Sequence, residues 1–262
     1  MNLDLTGKTA LVCGSTQGIG RASAVELALL GTNVVLMARN EEKLQETISG
    51  LDTSRGQAHR YIVADFAEAS AVSDAISKHL ASYPDMHILI NNTGGPAGGP
   101  LIDAQADAFV QTFHNHLLNN QALVQAVVPA MKKAGYGRIV NIISTSVKQP
   151  IVGLGVSNTI RGAVAQWSKT LSLEIAQFGI TVNNVLPGYT RTARLDSVLS
   201  MRAKSTGKTE EEVTTQMQQE IPTGRFVEPE EVGAAVAFLC TPAAASINGI
   251  NVPVDGGRTG SL

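Results

Sequence analysis

The sequence predicts an α/β fold of the doubly wound kind, in which about seven strands form one parallel sheet with helices on both faces. Short β-like runs alternate with helical stretches along the whole chain, which is typical of a parallel sheet. Several runs are apolar without interruption, as in Val-Val-Leu-Met at 34–37. An unbroken apolar strand indicates burial on both faces of the sheet.

Seven segments have the composition of strands, being rich in aliphatic residues and bounded by polar residues, glycine or proline. They are Thr9–Cys13, Asn33–Met37, Arg60–Ala64, His87–Asn91, Arg138–Ile143, Thr181–Leu186 and Ile250–Val254. The first helical stretch opens at Arg21. A later helix repeats Ile160, Val164, Trp167 and Leu171 at helical spacing, which predicts that these four share its buried face.

Composition indicates one globular domain over residues 1–262. The chain is 44% hydrophobic and 16% charged with a net charge of −2, so it can bury a large core and offers no basic surface for nucleic acid. No linker, repeat or low-complexity segment divides it. The polar segment 190–226, with a helical piece around 210–219, is predicted to form a lid over the carboxyl edge of the sheet.

The first residues lack the charged and apolar regions of a signal peptide, and no apolar run approaches the roughly 20 residues of a membrane span. We therefore expect a cytoplasmic protein with no membrane partner. Cys13 and Cys240 fit buried thiols in a reducing compartment better than a disulfide or a metal site. No metal is predicted.

The glycine-rich turn after the first strand indicates the kind of ligand. It reads Gly14, Ser15, Thr16, Gln17, Gly18, Ile19 and Gly20. In a strand–turn–helix unit the free N–H groups and the dipole of the helix N-terminus face a phosphate, so the turn predicts a Rossmann-type dinucleotide site. Its spacing, G-x-x-x-G-x-G, differs from the common G-x-G-x-x-G. An ordinary tight turn is the alternative that this motif alone leaves open.

Four motifs, taken in order, make the chain resemble the short-chain dehydrogenase/reductase superfamily over nearly its whole length. They are the glycine turn, Asn-Asn-Thr-Gly at 91–94, Pro-Gly at 187–188 and Val-Asp-Gly-Gly at 254–257. Segment 221–232 looks most like the 3-oxoacyl-carrier-protein reductase branch. The resemblance implies hydride transfer between a nicotinamide dinucleotide and a carbonyl or alcohol. It also implies a homotetramer, or a homodimer, that pairs through helices ending near 134 and 177 and through the C-terminal strand.

The end of the second predicted strand indicates which dinucleotide binds. Relatives that prefer NAD carry an acidic residue there, whereas this chain has Ala38 followed by Arg39. An arginine pairs with a 2′-phosphate that a carboxylate would repel, so NADP(H) is predicted over NAD(H). The alternative is that Arg39 only solvates the next helix. The resemblance implies further cofactor contacts from Asp65, Asn91, Gly94, Arg161, Pro187, Gly188 and Thr192.

The catalytic positions implied by the resemblance carry unusual residues. Ser144 occupies the serine position after the fifth strand. Ser157 and Arg161 stand where relatives have Tyr and Lys, and His116 stands where relatives have Asn. One helical turn separates Ser157 from Arg161, so they share a face. A serine hydroxyl is a much weaker acid than a phenol and a guanidinium does not deprotonate in proteins, so the proton source must be another group.

Two residues are candidates for that proton source. The imidazole of His116 ordinarily titrates near neutral pH, with a bond to a backbone carbonyl as the alternative role. Tyr189 follows the Pro-Gly motif, with packing under the lid as its alternative. Three functions stay open, of which we favour an NADP(H)-dependent oxidoreductase for a small-molecule carbonyl or alcohol. The others are a dinucleotide-binding protein without dehydrogenase activity and a non-redox enzyme such as a lyase or dehydratase.

Overall fold

The structure, a computed structural model, describes residues 1–68 and 70–261, and the strands in these ranges form one seven-stranded parallel sheet. They are β1 Thr9–Cys13, β2 Asn33–Ala38, β3 Arg60–Val63, β4 Ile88–Asn91, β5 Gly137–Ile142, β6 Ile180–Pro187 and β7 Asn251–Val254. No strand boundary differs from the predicted one by more than a residue. The doubly wound α/β fold is thereby confirmed. The predicted domain 1–262 also includes residues 69 and 262, which lie outside the described part.

The α-helices follow or lie between the strands and cover both faces of the sheet. They are α1 Gly18–Leu29, α2 Glu41–Ser49, α3 Ala71–Ser82, α4 Ala106–Phe113, α5 Asn119–Ala134, α6 Gly155–Ile175, α7 Ala193–Thr206, α8 Glu210–Gln219 and α9 Pro229–Cys240. Helix α1 begins at Gly18, three residues before the predicted start at Arg21, because the glycine turn closes directly into its first helical turn. None of the helices within the described ranges is long and apolar enough to span a bilayer.

Successive residues of a strand pack on opposite faces of the sheet, as a strand requires. In β1, Val12 belongs to the core cluster that contains Leu27 of α1 and Val236 of α9. Its neighbour Leu11 belongs to the cluster on the other face, which contains Val127 of α5. Each such buried aliphatic side chain stabilises the fold by about 1.5–3 kcal/mol. This double coverage explains the unbroken apolar runs of the central strands, such as residues 34–37 in β2.

The strand order is β3-β2-β1-β4-β5-β6-β7, so the order reverses between β1 and β4. In doubly wound sheets, ligands bind in the crevice outside the carboxyl ends of the strands at this switch point. The turn after β1 and the loop after β4 border the crevice. Both the glycine turn and the Asn-Asn-Thr-Gly motif therefore lie where a dinucleotide would bind.

A row of amide side chains, buried in β4, β5 and β6 and exposed in β7, crosses the sheet. The Nδ2 of Asn91 donates to Oδ1 of Asn141 at 2.8 Å, and Nδ2 of Asn141 donates to Oδ1 of Asn184 at 2.9 Å. Asn184 continues the row to Asn251. Asn141 also donates to Oγ of Ser168 on α6, at 3.2 Å. The row is thus connected by a hydrogen bond to α6, the helix that carries Ser157 and Arg161.

We expect Asn141→Ala to lower the free energy of unfolding by about 2–4 kcal/mol, because it leaves polar groups of Asn91 and Asn184 buried without partners. Urea unfolding followed by circular dichroism measures this change. Asn251→Ala is the matched control. Asn251 is exposed at the end of the row, and its replacement removes one hydrogen bond. Equal losses in the two variants would contradict the role of Asn141 as the central member.

The segment 190–226 forms helices α7 and α8, which pack on each other around a small apolar cluster of their own. The predicted helical piece is α8, and the sequence interpretation missed α7. Helix α8 begins with a capping box, in which Thr209 and Glu212 exchange side-chain-to-backbone hydrogen bonds. Leu195 is buried in the cluster, whereas Met201 reaches out to Gly98 of the loop after β4. The function of this segment as a lid stays a prediction.

Candidate active site

The glycine turn is held in a shape that other residues would not tolerate. Gly14 and Gly18 have φ of +56° and +53°, a region that favours glycine. A β-carbon on Gly20 would lie against the carbonyl oxygen of Gly14 and 2.7 Å from Nδ2 of Asn92. The three glycines therefore let the start of α1 approach β1 closely. The backbone N–H groups of the helix N-terminus are left open toward the crevice.

Asn92 supports this turn from the neighbouring strand and was missed as a site residue by the sequence interpretation. Its Nδ2 donates to the carbonyl oxygens of Cys13 and Gly14, at 3.3 and 3.2 Å. The side chain of Asn91, in contrast, is buried and bonded to Asn141 within the sheet. A cofactor contact from Asn91 would therefore use its backbone. The duplicated asparagine in the motif was the available signal, because strand neighbours point to opposite sides.

The remaining cofactor motifs come together around the turn. Thr192 lies at the start of α7, and its Cγ2 would be 3.0 Å from a β-carbon on Gly18. Gly188 packs against Asp255 of the Val-Asp-Gly-Gly motif, where a β-carbon would meet Cβ of Asp255 at 2.6 Å. Ser15 is an exception within the turn, since its side chain is buried and faces the Met37 carbonyl. The other predicted turn residues and Pro187 border the same edge of the sheet.

The structure brings Arg39 and Asp65 together at the far end of the crevice. Nη1 of Arg39 lies 4.0 Å from Oδ2 of Asp65, and the arginine side chain is 78% exposed. Such an exposed pair at its contact limit contributes little stability. The guanidinium is therefore free to turn to a phosphate.

Among the described residues no cluster of three or more His, Cys, Asp or Glu side chains is arranged to hold a metal ion.

We expect Arg39→Asp to weaken NADPH binding relative to NADH binding by more than about tenfold, because a carboxylate repels the 2′-phosphate that a guanidinium pairs with. Fluorescence titration of each variant with both cofactors measures the ratio. Lys43→Asp, an equal charge change on exposed α2, is the control and should leave the ratio unchanged. A parent protein that binds both cofactors equally would refute the role of Arg39.

Helix α6 brings Ser157 and Arg161 to the end of β5, as the predicted register requires. Nε of Arg161 donates to Oγ of Ser157 at 3.4 Å, and Nη1 donates to the carbonyl oxygen of Ile142 at 3.0 Å. On the packed side of the helix Ile160 and Val164 are buried. Ser144 follows β5 and its Oγ accepts a bond from the N–H of Ser146 at 3.1 Å. The two serines and the guanidinium thus lie at one edge of the sheet.

His116 lies in a π-helical turn between α4 and α5 and is only 5% exposed. Burial, followed by the charge of Arg161, lowers the pKa of His116 from 6.5 to about 3, while contact with the backbone of Gly94 acts in the opposite direction. The imidazole is therefore neutral at pH 7. The expectation that it titrates near neutral pH is wrong for this site, because a buried cation beside another cation is disfavoured.

Tyr189, the second candidate proton source, has its side chain in contact with residues of segment 190–226. Its hydroxyl accepts a hydrogen bond from Nη2 of Arg202 at 3.0 Å and lies 3.4 Å from Oε2 of Glu220. The ring packs edge-on against Phe226. These contacts favour the packing role for Tyr189.

Arg194 also reaches this site, although the sequence interpretation did not select it. It lies in the first turn of α7, two residues after Thr192, and its Nη2 donates to the carbonyl oxygen of Pro96 at 2.7 Å. This bond joins α7 to the loop after β4 across the crevice. The signal for Arg194 was only its closeness to Thr192, since the approach of residues 95 and 96 depends on the folded chain.

The fold and this site define a dinucleotide-binding α/β protein in which two serines, an arginine and a neutral histidine lie beside the crevice. A family model described as enoyl-(acyl carrier protein) reductase matches residues 14–259. The chain therefore belongs to the short-chain dehydrogenase/reductase superfamily, as its motifs predict.

Relatives and solved structures cover almost the whole chain. A monensin polyketide synthase putative ketoacyl reductase of Streptomyces virginiae is 33% identical over 96% of this chain and 97% of its own length. The structure of L-sorbose reductase from Gluconobacter frateurii with NADPH and L-sorbose superposes with a TM-score of 0.92 at 28% identity, covering 100% of both chains. YwfH, an NADPH-dependent reductase involved in bacilysin biosynthesis, gives a TM-score of 0.91 at 26% identity over 97% of this chain and 99% of its own.

Proposed function

We propose that this chain is an NADP(H)-dependent oxidoreductase that uses Ser144, Ser157, Arg161 and His116 on the carbonyl or alcohol group of a small molecule. The reaction class and the cofactor predicted from the sequence are confirmed by membership of the superfamily and by the NADPH-bound relatives. The assignment of roles to individual residues is our proposal.

The crevice has the shape and charge that NADP(H) requires. The glycine turn leaves open backbone donors for the pyrophosphate, and Arg39 with Asp65 lies at the end suited to the adenosine 2′-phosphate. Thr192, beside Gly18, lies where the nicotinamide end would meet α7. When bound, the cofactor supplies or accepts the hydride. The residues of the chain bind it, orient it and stabilise charge on the substrate oxygen.

The bond from Arg161 to Ser157 is the observation that carries the proposal. Because Oγ of Ser157 accepts this bond, the serine hydrogen is free to be donated to a substrate oxygen. The hydroxyl hydrogen of Ser144 is free in the same way, since Oγ of Ser144 accepts a hydrogen bond from a backbone N–H. The guanidinium places a positive charge where negative charge develops as hydride arrives. Stabilisation of that charge offsets the weak acidity of serine.

We assign to His116 the transfer of a proton from solvent to the substrate oxygen. A neutral imidazole can do this because one ring nitrogen donates a hydrogen bond and the other accepts one. We expect His116→Ala to lower turnover about 10²-fold, the usual size for such a group. Since burial holds the pKa of His116 near 3, the parent rate should show no titration of this group between about pH 5 and pH 8. An inflection near 6.5 that the variant loses would contradict this assignment, as would an unchanged rate.

The test of the proposed function begins with titration of the purified protein with NADPH and NADH, followed by a carbonyl panel in which loss of the reduced nicotinamide is measured. We expect selective NADPH binding and consumption of NADPH with at least one carbonyl compound.

The replacement of Tyr and Lys favours a second candidate, a dinucleotide-binding protein without dehydrogenase activity. Binding without consumption would support that candidate, and product formed without cofactor turnover would indicate a non-redox enzyme.

A homotetramer, or a homodimer, is proposed as the state of the protein. Exposed apolar side chains on helices α4 and α6, and between α4 and α5, support it, including Val110, Leu118 and Leu173 at 67%, 45% and 71% exposure. Light scattering of the purified protein measures the assembly.

We propose the cytoplasm as its compartment, supported by the buried free thiols of Cys13 and Cys240.

A further inference from the structure

Two arginines from distant parts of the chain face the same small space beside the catalytic edge. A β-carbon added to Gly95 would lie 3.6 Å from Nη2 of Arg161 and 3.9 Å from Nη2 of Arg194. Arg161 comes from α6 and is half-buried, and Arg194 comes from α7 and is exposed. The absence of a side chain at Gly95 leaves the space between the two guanidinium groups open.

Arg161 and Arg194 have no acidic partner among residues 1–68 and 70–261. Within the described residues, no carboxylate oxygen lies within 4 Å of Arg161 or Arg194. Six other arginines do form such ion pairs, namely Arg39, Arg55, Arg191, Arg202, Arg225 and Arg258. The two guanidinium groups are held instead by hydrogen bonds to neutral oxygens of Ser157, Ile142 and Pro96. In the described part of the chain, these bonds leave both positive charges without a neighbouring carboxylate.

The two charges repel each other. Burial, and after it the charge of Arg194, lowers the pKa of Arg161 to about 10. Arg161 is still charged at pH 7, and so the site carries two positive charges next to the neutral imidazole of His116. An anion between the guanidinium groups would relieve this repulsion. A guanidinium binds a carboxylate through charge-assisted hydrogen bonds that are about twice as strong as neutral ones, and two guanidinium groups can bind the two oxygens of one carboxylate.

We propose that the substrate is an oxo acid whose carboxylate binds between Arg161 and Arg194 and whose carbonyl oxygen accepts from Ser157. This inference rests on the proposed function and names its substrate class. Because Arg161 contacts Ser157 directly, the carboxylate and the carbonyl must be close in the substrate, as in 2-oxo and 3-oxo acids.

The reaction balances as a two-electron reduction. Hydride from NADPH forms a bond to the carbonyl carbon, and the electron pair of the C=O π bond moves to the oxygen. That oxygen takes one proton, passed from solvent through His116. A hydroxy acid and NADP⁺ leave. The carboxylate is unchanged in the reaction, so Arg194 acts on binding and orientation rather than on the reacting atoms.

The experiment measures binding of matched acids and esters to the NADP⁺-loaded protein, which does not depend on turnover. Pyruvate and acetoacetate are compared with methyl pyruvate and methyl acetoacetate by calorimetry. We expect at least one acid to bind about tenfold or more tightly than its ester. Arg194→Gln should remove this preference and leave the NADPH dissociation constant unchanged. Lys204→Gln, the same charge change on an exposed position of α7, should change neither.

Each contrary result has a distinct meaning. Equal affinity for acids and esters, or no binding of either, would overturn the inference. Weaker NADPH binding by Arg194→Gln with the acid preference intact would assign this arginine to the cofactor phosphates and also overturn it. Failure of the proposed function looks different, since acids would then bind selectively without any consumption of NADPH. Reduction of esters as readily as acids would leave the proposed function in place and reject the oxo acid.

Discussion

Replacing Gly20 with alanine is expected to weaken NADPH binding by at least about 100-fold, which corresponds to about 2.7 kcal/mol. The β-carbon would lie against the carbonyl oxygen of Gly14 and 2.8 Å from its carbonyl carbon, distances that real β-carbons do not show. The turn must therefore open, and the N–H groups that face the pyrophosphate move with it. Fluorescence titration with NADPH measures the loss.

A structural control separates this local effect from unfolding. Gly50 lies at the end of α2 with φ of −94°, and a β-carbon there would meet its nearest neighbour at an ordinary 3.7 Å. Gly50→Ala should bind NADPH as the parent does. The circular dichroism spectrum of Gly20→Ala should still show the folded α/β protein. Binding by Gly20→Ala within a few-fold of the parent would mean that the turn does not hold the cofactor.

The fold was predictable because its signals are local. Each strand is a short apolar run, so β1 through β7 were located to within a residue. The carboxyl end of a parallel strand is equally visible, which placed the glycine turn, Arg39 and Ser144 at the correct edge. The start of α1 was displaced, because the sequence does not show where a turn becomes a helix when three glycines stand in it.

The features of the site that the sequence did not predict depend on contacts between segments that are far apart in the sequence. Asn92 supports the glycine turn from 78 residues away, and Arg194 reaches Pro96 across 98 residues. The pKa of His116 follows from burial and from Arg161, neither of which is visible in the histidine itself. Ordinary side-chain pKa values describe solvated groups, so a sequence argument about protonation fails where the group is buried next to a charge.

In the catalytic set that we propose, a fixed positive charge replaces the acidic hydroxyl group that relatives use. A tyrosine with a neighbouring lysine delivers a proton, whereas Ser157 with Arg161 offers a hydrogen bond and a fixed cation. A guanidinium cannot join a proton relay, but it binds anions through two parallel N–H donors. The replacement of lysine by arginine therefore favours substrates that bring a negative charge of their own.

Arg161→Gln should lower kcat about 10²- to 10³-fold, the usual size when a group that stabilises a developing oxyanion electrostatically is removed. Glutamine keeps a hydrogen-bond donor near Ser157 but has no charge, so the loss reports the electrostatic contribution. Arg161→Lys keeps the charge with a single amine in place of the fork, and should retain more activity than the glutamine variant. Steady-state consumption of NADPH at saturating substrate measures both. Equal, small losses in the two variants would mean that the cation does not stabilise the transition state, whereas equal, large losses would mean that the forked geometry matters more than the charge.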